Sequence, residues 1–380
     1  MVTFKTGRCC IVGCGVVALR YIPHVKRYGE LVAVCDKVPE RAMKFKDFYG
    51  AKKYYADFND MLAEPDTDIV FILTGMSIHA KQVAQAARAK KHILVQKPLA
   101  TNMEDLKTAV EEVERNRVKV LVEPNVQQSP LYLEAKEVLE EGALGEVLWF
   151  RAGLGRGPPA WGSETFFSRE AGGPLFDLGV YEISAITFLL GPAKRVIGMA
   201  KTSIPEINIV PDEVVTEILS DSPISYMEFF NFLSKASPSK KIRVTAEDNT
   251  FTCIEMKNGS LGCIVSNFVT PYEIRFGMGD APRIEIYGSK GTLLIWDDRL
   301  AIKTENKESR YYLKDSWYTI SMEGSQWDYM EASTKHIIEC VAEDKEPLPN
   351  ISWGAHVSEI MIKSLESART GKAMDLTTAF

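Results

Sequence analysis

The sequence has no Cys-x-x-Cys pair, no long block of one charge, no repeat and no low-complexity tract. It also has no apolar run near the ~18 residues that a membrane-spanning helix needs. Each absence excludes something. Seven cysteines, an odd number, at Cys9, Cys10, Cys14, Cys35, Cys253, Cys263 and Cys340 argue against a zinc site or a disulfide framework. They read as reduced, mostly buried small hydrophobes of a cytoplasmic protein. Lys plus Arg number 45 against 51 Asp plus Glu, a net charge of −6, so the basic footprint of a nucleic-acid binder is missing. Met1 to Arg8 lacks the pattern of a signal peptide, so a soluble protein is expected, with no membrane partner. Of the five histidines, His24, His92, His336 and His356 stand isolated, and no metal site is expected.

What is present is ordinary globular composition, 46% hydrophobic and 25% charged over 380 residues, enough for two domains. The first third alternates apolar strands with amphipathic helices. Strands are predicted at Cys9 to Val12, Leu31 to Cys35, Ile69 to Leu73, His92 to Val95 and Val118 to Val122. Helices are predicted at Val17 to Tyr28, Pro39 to Tyr49, His79 to Ala89 and Met103 to Asn116. Strict alternation means parallel βαβ units and a doubly wound sheet. After Glu123 the pattern changes. Helices are predicted near Leu131 to Glu141 and Leu175 to Leu190, a strand at Val147 to Ala152, and a Gly/Pro-rich loop between. From there extended chain with hairpins at Asn258-Gly259, Gly288 to Gly291 and Asp297-Asp298 predicts an antiparallel sheet. Helices near Trp327 to Ala342 and Ala355 to Thr370 finish the chain. The expected architecture is α/β for residues 1–123 and α+β for 124–380. The aromatic segment Ser222 to Lys241 reads either as a docked loop or short helix, or as a substrate lid.

Gly13-Cys14-Gly15-Val16-Val17-Ala18 follows the first strand and opens a helix, the G-x-G-x-x-G/A pattern in its required setting. The first Gly permits the turn, the second lets a pyrophosphate approach, and the helix N-terminus supplies free N–H groups. The second strand ends at Asp36, where a carboxylate can accept bonds from a ribose. A plain tight turn is the alternative, but the setting favours dinucleotide binding. Asp36 would repel a 2′-phosphate and favours NAD; Lys37 or Arg41 could neutralise that phosphate, which leaves NADP possible.

These residues, with Gln96-Lys97-Pro98-Leu99-Ala100, Gly172 to Tyr181, Glu141 to Glu146 and Ile284 to Leu293, resemble in order and nearly full length the glucose–fructose oxidoreductase / inositol dehydrogenase / rhizopine-catabolism (Gfo/Idh/MocA) family. The resemblance implies an N-terminal Rossmann domain, a C-terminal domain with an open antiparallel sheet that forms homodimers or homotetramers, and nicotinamide-dependent oxidation or reduction of a sugar or polyol. Two departures stand out. Gln96 replaces the family's usual Glu before Lys-Pro, and Tyr181 stands where inositol-dehydrogenase-like members have His. The loop after the third strand carries Thr74 where Asn is common, while His79 matches.

The chemistry such a family performs needs a cation for an incipient alkoxide and a group to take its proton. Lys97, at the carboxyl edge of the parallel sheet, is the candidate cation and Tyr181 the candidate proton carrier. Asp177, four residues before Tyr181, would share its helix face and orient substrate hydroxyls. Each has a plainer reading: Lys97 as a surface lysine, Tyr181 as core, Asp177 as a helix-terminus charge. Asn125 matches a family position near the nicotinamide. Gln127, Gln128, Arg151, Arg156, Trp161 and Tyr272 are further candidates to line the site, and His79 is expected to orient a loop. A redox-neutral glycosidase of the same fold and a non-catalytic ligand-sensing regulator are the alternatives.

Overall fold

The computed structural model describes residues 7–270, 282–322 and 328–380, with only the backbone of 163–164. Tyr272 and Trp327 lie outside the described residues. Strand and helix alternate first: β1 (Gly7–Val12), α1 (Ala18–Tyr28), β2 (Gly29–Cys35), α2 (Pro39–Tyr49), β3 (Lys53–Tyr55), α3 (Phe58–Leu62), β4 (Ile69–Ile72), α4 (His79–Arg88), β5 (His92–Val95), α5 (Met103–Asn116) and β6 (Val120–Val122). The strands form one parallel sheet in the order β3-β2-β1-β4-β5-β6. Helices cover both faces, so Ile69, Val70, Phe71 and Ile72 are all fully buried and need no polar alternation. Boundaries follow local chemistry. Pro39 starts α2 and Gly50, at φ 76°, ends it. The Asn102 side chain accepts the Asp105 N–H to cap α5. The short β3 and α3 carry too weak a pattern to be read in the sequence.

The rest comprises α6 (Pro130–Glu140), β7 (Val147–Gly155), α7 (Ser163–Phe167), a π-helical turn (Leu175–Gly179), α8 (Val180–Leu190), β8 (Ala193–Lys201), β9 (Glu206–Ile209), α9 (Asp212–Asp221), α10 (Tyr226–Leu233), β10 (Lys240–Arg243), β11 (Asn249–Met256), β12 (Leu261–Asn267), β13 (Ile284–Gly288), β14 (Gly291–Ile295), β15 (Arg299–Thr304), β16 (Tyr318–Ser321), α11 (Tyr329–Ala342), α12 (Ile351–Thr370) and β17 (Met374–Asp375). Among the described residues a second sheet runs β16-β15-β14-β13-β7-β12-β11-β8-β17. It is antiparallel except between β7 and β12, which are parallel, so the expected antiparallel sheet is in fact mixed. One face packs on α8 and α12. The other exposes Trp149, Ile197, Met199, Phe251 and Leu261, with a groove of about 410 Å³ lined in part by Trp149, Ile197 and Leu261.

The stretch expected to be extended after Leu190 instead holds α9 and α10. Ser225 and Glu228 form a complete capping box for α10, and Phe229 and Leu233, one turn apart, are buried against the first-domain residues around α1 and α2. Tyr49 clasps this insert by donating to the Ile224 carbonyl at 3.0 Å and accepting the Ile224 N–H at 3.1 Å. The open question over Ser222 to Lys241 thus resolves as a helical segment docked on its own chain. The helix α11 also returns to the first domain and packs on α1.

Candidate active site

Where a parallel sheet reverses its strand order, the loops after neighbouring strands diverge and leave a crevice. Here that point lies between β1 and β4. Gly13 closes the turn after β1 at φ 95°, and a Cβ there would sit 2.7 Å from the Leu73 carbonyl oxygen. Gly15 is different: a Cβ on it would meet nothing within 4 Å. The first glycine is thus required by the protein, the second by whatever fills the open space. The N–H of Cys14 is held by Asp36 Oδ2 at 2.9 Å, and Asp36 Oδ1 accepts the Val38 N–H at 2.9 Å. Gly15, Val16 and Val17 then lead into α1, with the positive end of its dipole facing the crevice. Arg41 lies 3.5 Å from Asp36 Oδ2 and donates to Thr216 of α9 at 2.6 Å. Lys37 points to solvent.

The loop after β4 is fastened to the loop after β5 by His79. Its buried ring reaches the Thr74 carbonyl oxygen at 3.0 Å and the Pro98 carbonyl oxygen at 2.8 Å. Burial holds the ring pKa below its ordinary value. The Thr74 hydroxyl itself donates to Gln82. These contacts give His79 a fastening position, not an open one.

Lys97 projects from the end of β5. Its ammonium donates to Asp177 Oδ1 at 2.6 Å and to the Asp177 carbonyl oxygen at 2.7 Å, and it lies 5.2 Å from the centre of the Tyr181 ring. Arg156 donates to Asp177 Oδ2 at 3.0 Å. Asp177 lies in the π-helical turn and Tyr181 at the start of α8, so the two residues expected on one regular helix reach Lys97 through a locally widened one. Burial opposes both charges, yet each partner holds the other ionised. Burial pushes the Lys97 pKa down, but Asp177 and Tyr181 carry it above the usual lysine value. Burial pushes Asp177 up, but Lys97 and Arg156 hold it below the usual carboxylate range. Tyr226 of α10 stands within electrostatic reach of Arg20, Tyr181, Arg156 and Lys97.

Asn125 is fully buried, and neither polar atom of its side chain has a partner. The same holds for Gln127 Nε2 and Arg156 Nε. Buried amides are nearly always bonded, so the unpartnered Asn125 amide, three residues beyond the end of β6, fits a ligand that completes it. Together with the open space at Gly15, the residues present fit a dinucleotide. Gln96 does not face this space with its amide nitrogen, which donates to the Tyr21 hydroxyl at 2.7 Å. Arg151 pairs with Glu285 on the exposed side of the second sheet, so it does not line the site as expected. Trp161 sits in an aromatic cluster with Phe166, Phe229 and Phe230. Sequence reasoning missed Tyr21, Glu123 and Tyr226. A carboxylate straight after a buried strand was the available signal for Glu123.

Comparison with known proteins bears on this geometry. Residues 7–123 match the oxidoreductase family with an NAD-binding Rossmann fold, and residues 132–294 match the GFO/IDH/MocA C-terminal domain. The chain is 28% identical over 214 residues to D-apiose dehydrogenase of Rhizobium rhizogenes, a match that spans 56% of this chain and 61% of that protein. It is 25% identical to scyllo-inositol 2-dehydrogenase (NAD(+)) of Bacillus subtilis, across 97% of this chain and 96% of that one. Levoglucosan dehydrogenase in complex with NADH and levoglucosan shares the fold at a TM-score of 0.78 and 20% identity, covering 98% of this chain and 100% of the other.

Proposed function

Because the chain belongs to the GFO/IDH/MocA family of oxidoreductases with an NAD-binding Rossmann fold, we propose that it transfers a hydride between NAD, with NADP possible, and a secondary hydroxyl or carbonyl of a sugar, polyol or related compound. One observation carries the reading: at the carboxyl edge of the parallel sheet, Lys97 meets Asp177 and Tyr181, which lie far from it in sequence. When bound, the nicotinamide supplies the hydride acceptor or donor. Gly13, Cys14, Gly15, Val16 and Val17 would cradle its pyrophosphate and Asp36 its adenosine ribose. Thr74, His79, Gln96 and Asn125 would shape the nicotinamide end. Arg41 is committed to Asp36 and Thr216, which supports NAD over NADP.

Of the three donors on Lys97, two are taken by Asp177, which leaves one for the substrate oxygen. That contact stabilises the alkoxide as it forms. Tyr181, beside Lys97, carries the hydroxyl proton away in oxidation and returns it in reduction. Asp177, itself held by Arg156, keeps Lys97 in place. The same reading gives residues 1–123 to the dinucleotide and 124–380 to substrate and association. The exposed apolar face of the second sheet supports a homodimer or homotetramer, and seven free cysteines support a cytoplasmic location. A panel of sugars and polyols with NAD and NADP, followed by nicotinamide absorbance, tests the proposal. Turnover of at least one polyhydroxylated substrate is expected. Release of a sugar with no net change in nicotinamide would replace it with the glycosidase reading.

A further inference from the structure

Behind the candidate site lies a buried polar set that hydride and proton transfer do not use. Tyr21 of α1 is fully buried, and Glu123 at the end of β6 is 4% exposed. The Tyr21 hydroxyl lies 2.8 Å from Glu123 Oε1 and 2.7 Å from Gln96 Nε2. An amide N–H only donates, so the phenol oxygen accepts from Gln96 and gives its own proton to Glu123. Glu123 Oε2 accepts the N–H of Asn125 at 2.8 Å. Burial pushes the carboxyl pKa up, and the Ser333 and Tyr21 hydroxyls and the Asn125 N–H work against that rise.

The register explains why these groups meet. Val95 pairs with Val122 across β5 and β6, and the Glu123 N–H continues the ladder to the Val95 carbonyl at 3.0 Å. Positions 96 and 123 are therefore neighbouring strand ends. The carboxylate that the family resemblance places at 96 is absent there, and one stands at 123 instead, on the same phenol. The phenol stands on the helix opened by the glycine turn, accepts from Gln96, the residue before Lys97, and donates to Glu123, whose other oxygen accepts the main-chain N–H of Asn125, a residue with an unpartnered side-chain amide.

We propose that Glu123 is a positioning residue for the nicotinamide end of the site, fixing Asn125 through its main chain and Gln96-Lys97 through Tyr21. The inference rests on the dinucleotide reading above. Its test uses the full chain, NADH as the probe, and protein fluorescence for affinity, with thermal unfolding measured alongside. Glu123→Gln should weaken NADH binding about tenfold, because one oxygen must then serve two donors. Gln96→Glu should weaken it similarly, because two buried carboxylates then face one phenol proton. The exchange Gln96→Glu with Glu123→Gln should recover to within about threefold of the parent, which independent losses cannot do. Tyr21→Phe in the parent keeps the ring volume and should weaken NADH about fivefold, which carries the test should the other single variants fail to fold. Unchanged NADH affinity in Glu123→Gln and Tyr21→Phe, or additive losses in the exchange, would overturn the role. Failure of the parent protein to bind NADH would instead overturn the dinucleotide reading.

Discussion

The two sheets use their polar residues in opposite places. In the parallel sheet, strands such as β4 are buried on both faces, and the polar groups gather beyond the strand ends: Asp36 after β2, Lys97 after β5, Glu123 and Asn125 after β6. In the mixed sheet one face is buried and the other carries the exposed apolar side chains, with Trp149 stacked on Tyr287 at 4.3 Å. The first sheet therefore offers a site at an edge and the second offers a surface. An edge concentrates chemistry because parallel strands all end on the same side, whereas a face spreads contacts over a broad area.

On that contrast, damage to the groups gathered at the edge should remove function, and damage in the second sheet away from them should reach stability first. The largest effect is expected for Lys97→Met, a loss of turnover of at least about 10³-fold with NADH still bound in a fluorescence titration. Tyr181→Phe should cost about 10²-fold in kcat; a drop of only a few-fold would move proton transfer to another group. Gly15→Ala should weaken NADH by about tenfold at an unchanged melting temperature, since its Cβ would enter open space. Gly13→Ala, by contrast, should lower the melting temperature, because φ 95° and the Leu73 carbonyl oppose a side chain. The smallest effect belongs to the second domain. His356 is buried, accepts the Ala193 N–H at 2.9 Å, and burial pushes its pKa down to about 4. Its folded pKa lies below the unfolded value near 6.5, so the stability it gives is full above that value and falls as the solution is acidified toward 4. Roughly 1 kcal/mol should be lost between about pH 6.5 and 5.5 in denaturant titrations, and His356→Gln should flatten that slope.

Much of this was legible in the sequence, and the reasons differ by region. Helices α2 and α5 were read to the residue, because Pro39 and Gly50 bracket one and Asn102 caps the other. The first strands were readable because continuous apolar runs between helices leave no other state. The convergence of Lys97 with Tyr181 was expected, but only from a family resemblance; spacing alone cannot show that β5 and α8 face one crevice. The aromatic segment was left open between a docked loop or short helix and a lid, because its aromatics, taken alone, suit all three; the capping box of Ser225 and Glu228 and the burial of Phe229 decide for a docked helix, while α9 lies where extended chain was expected. Parallel pairing of β7 with β12 was out of reach, since strand order is a long-range property. Glu123 passed unnoticed because its partner Tyr21, and Gln96 bonded to that same phenol, come from segments far apart in the chain.

The docked insert has a consequence for motion. It leaves the second domain between β9 and β10 yet grips the first through Tyr49 with Ile224 and Arg41 with Thr216. A hinge that swung the two sheets apart would have to break that latch, so the insert resists such a rotation from beside Asp36, at one end of the crevice.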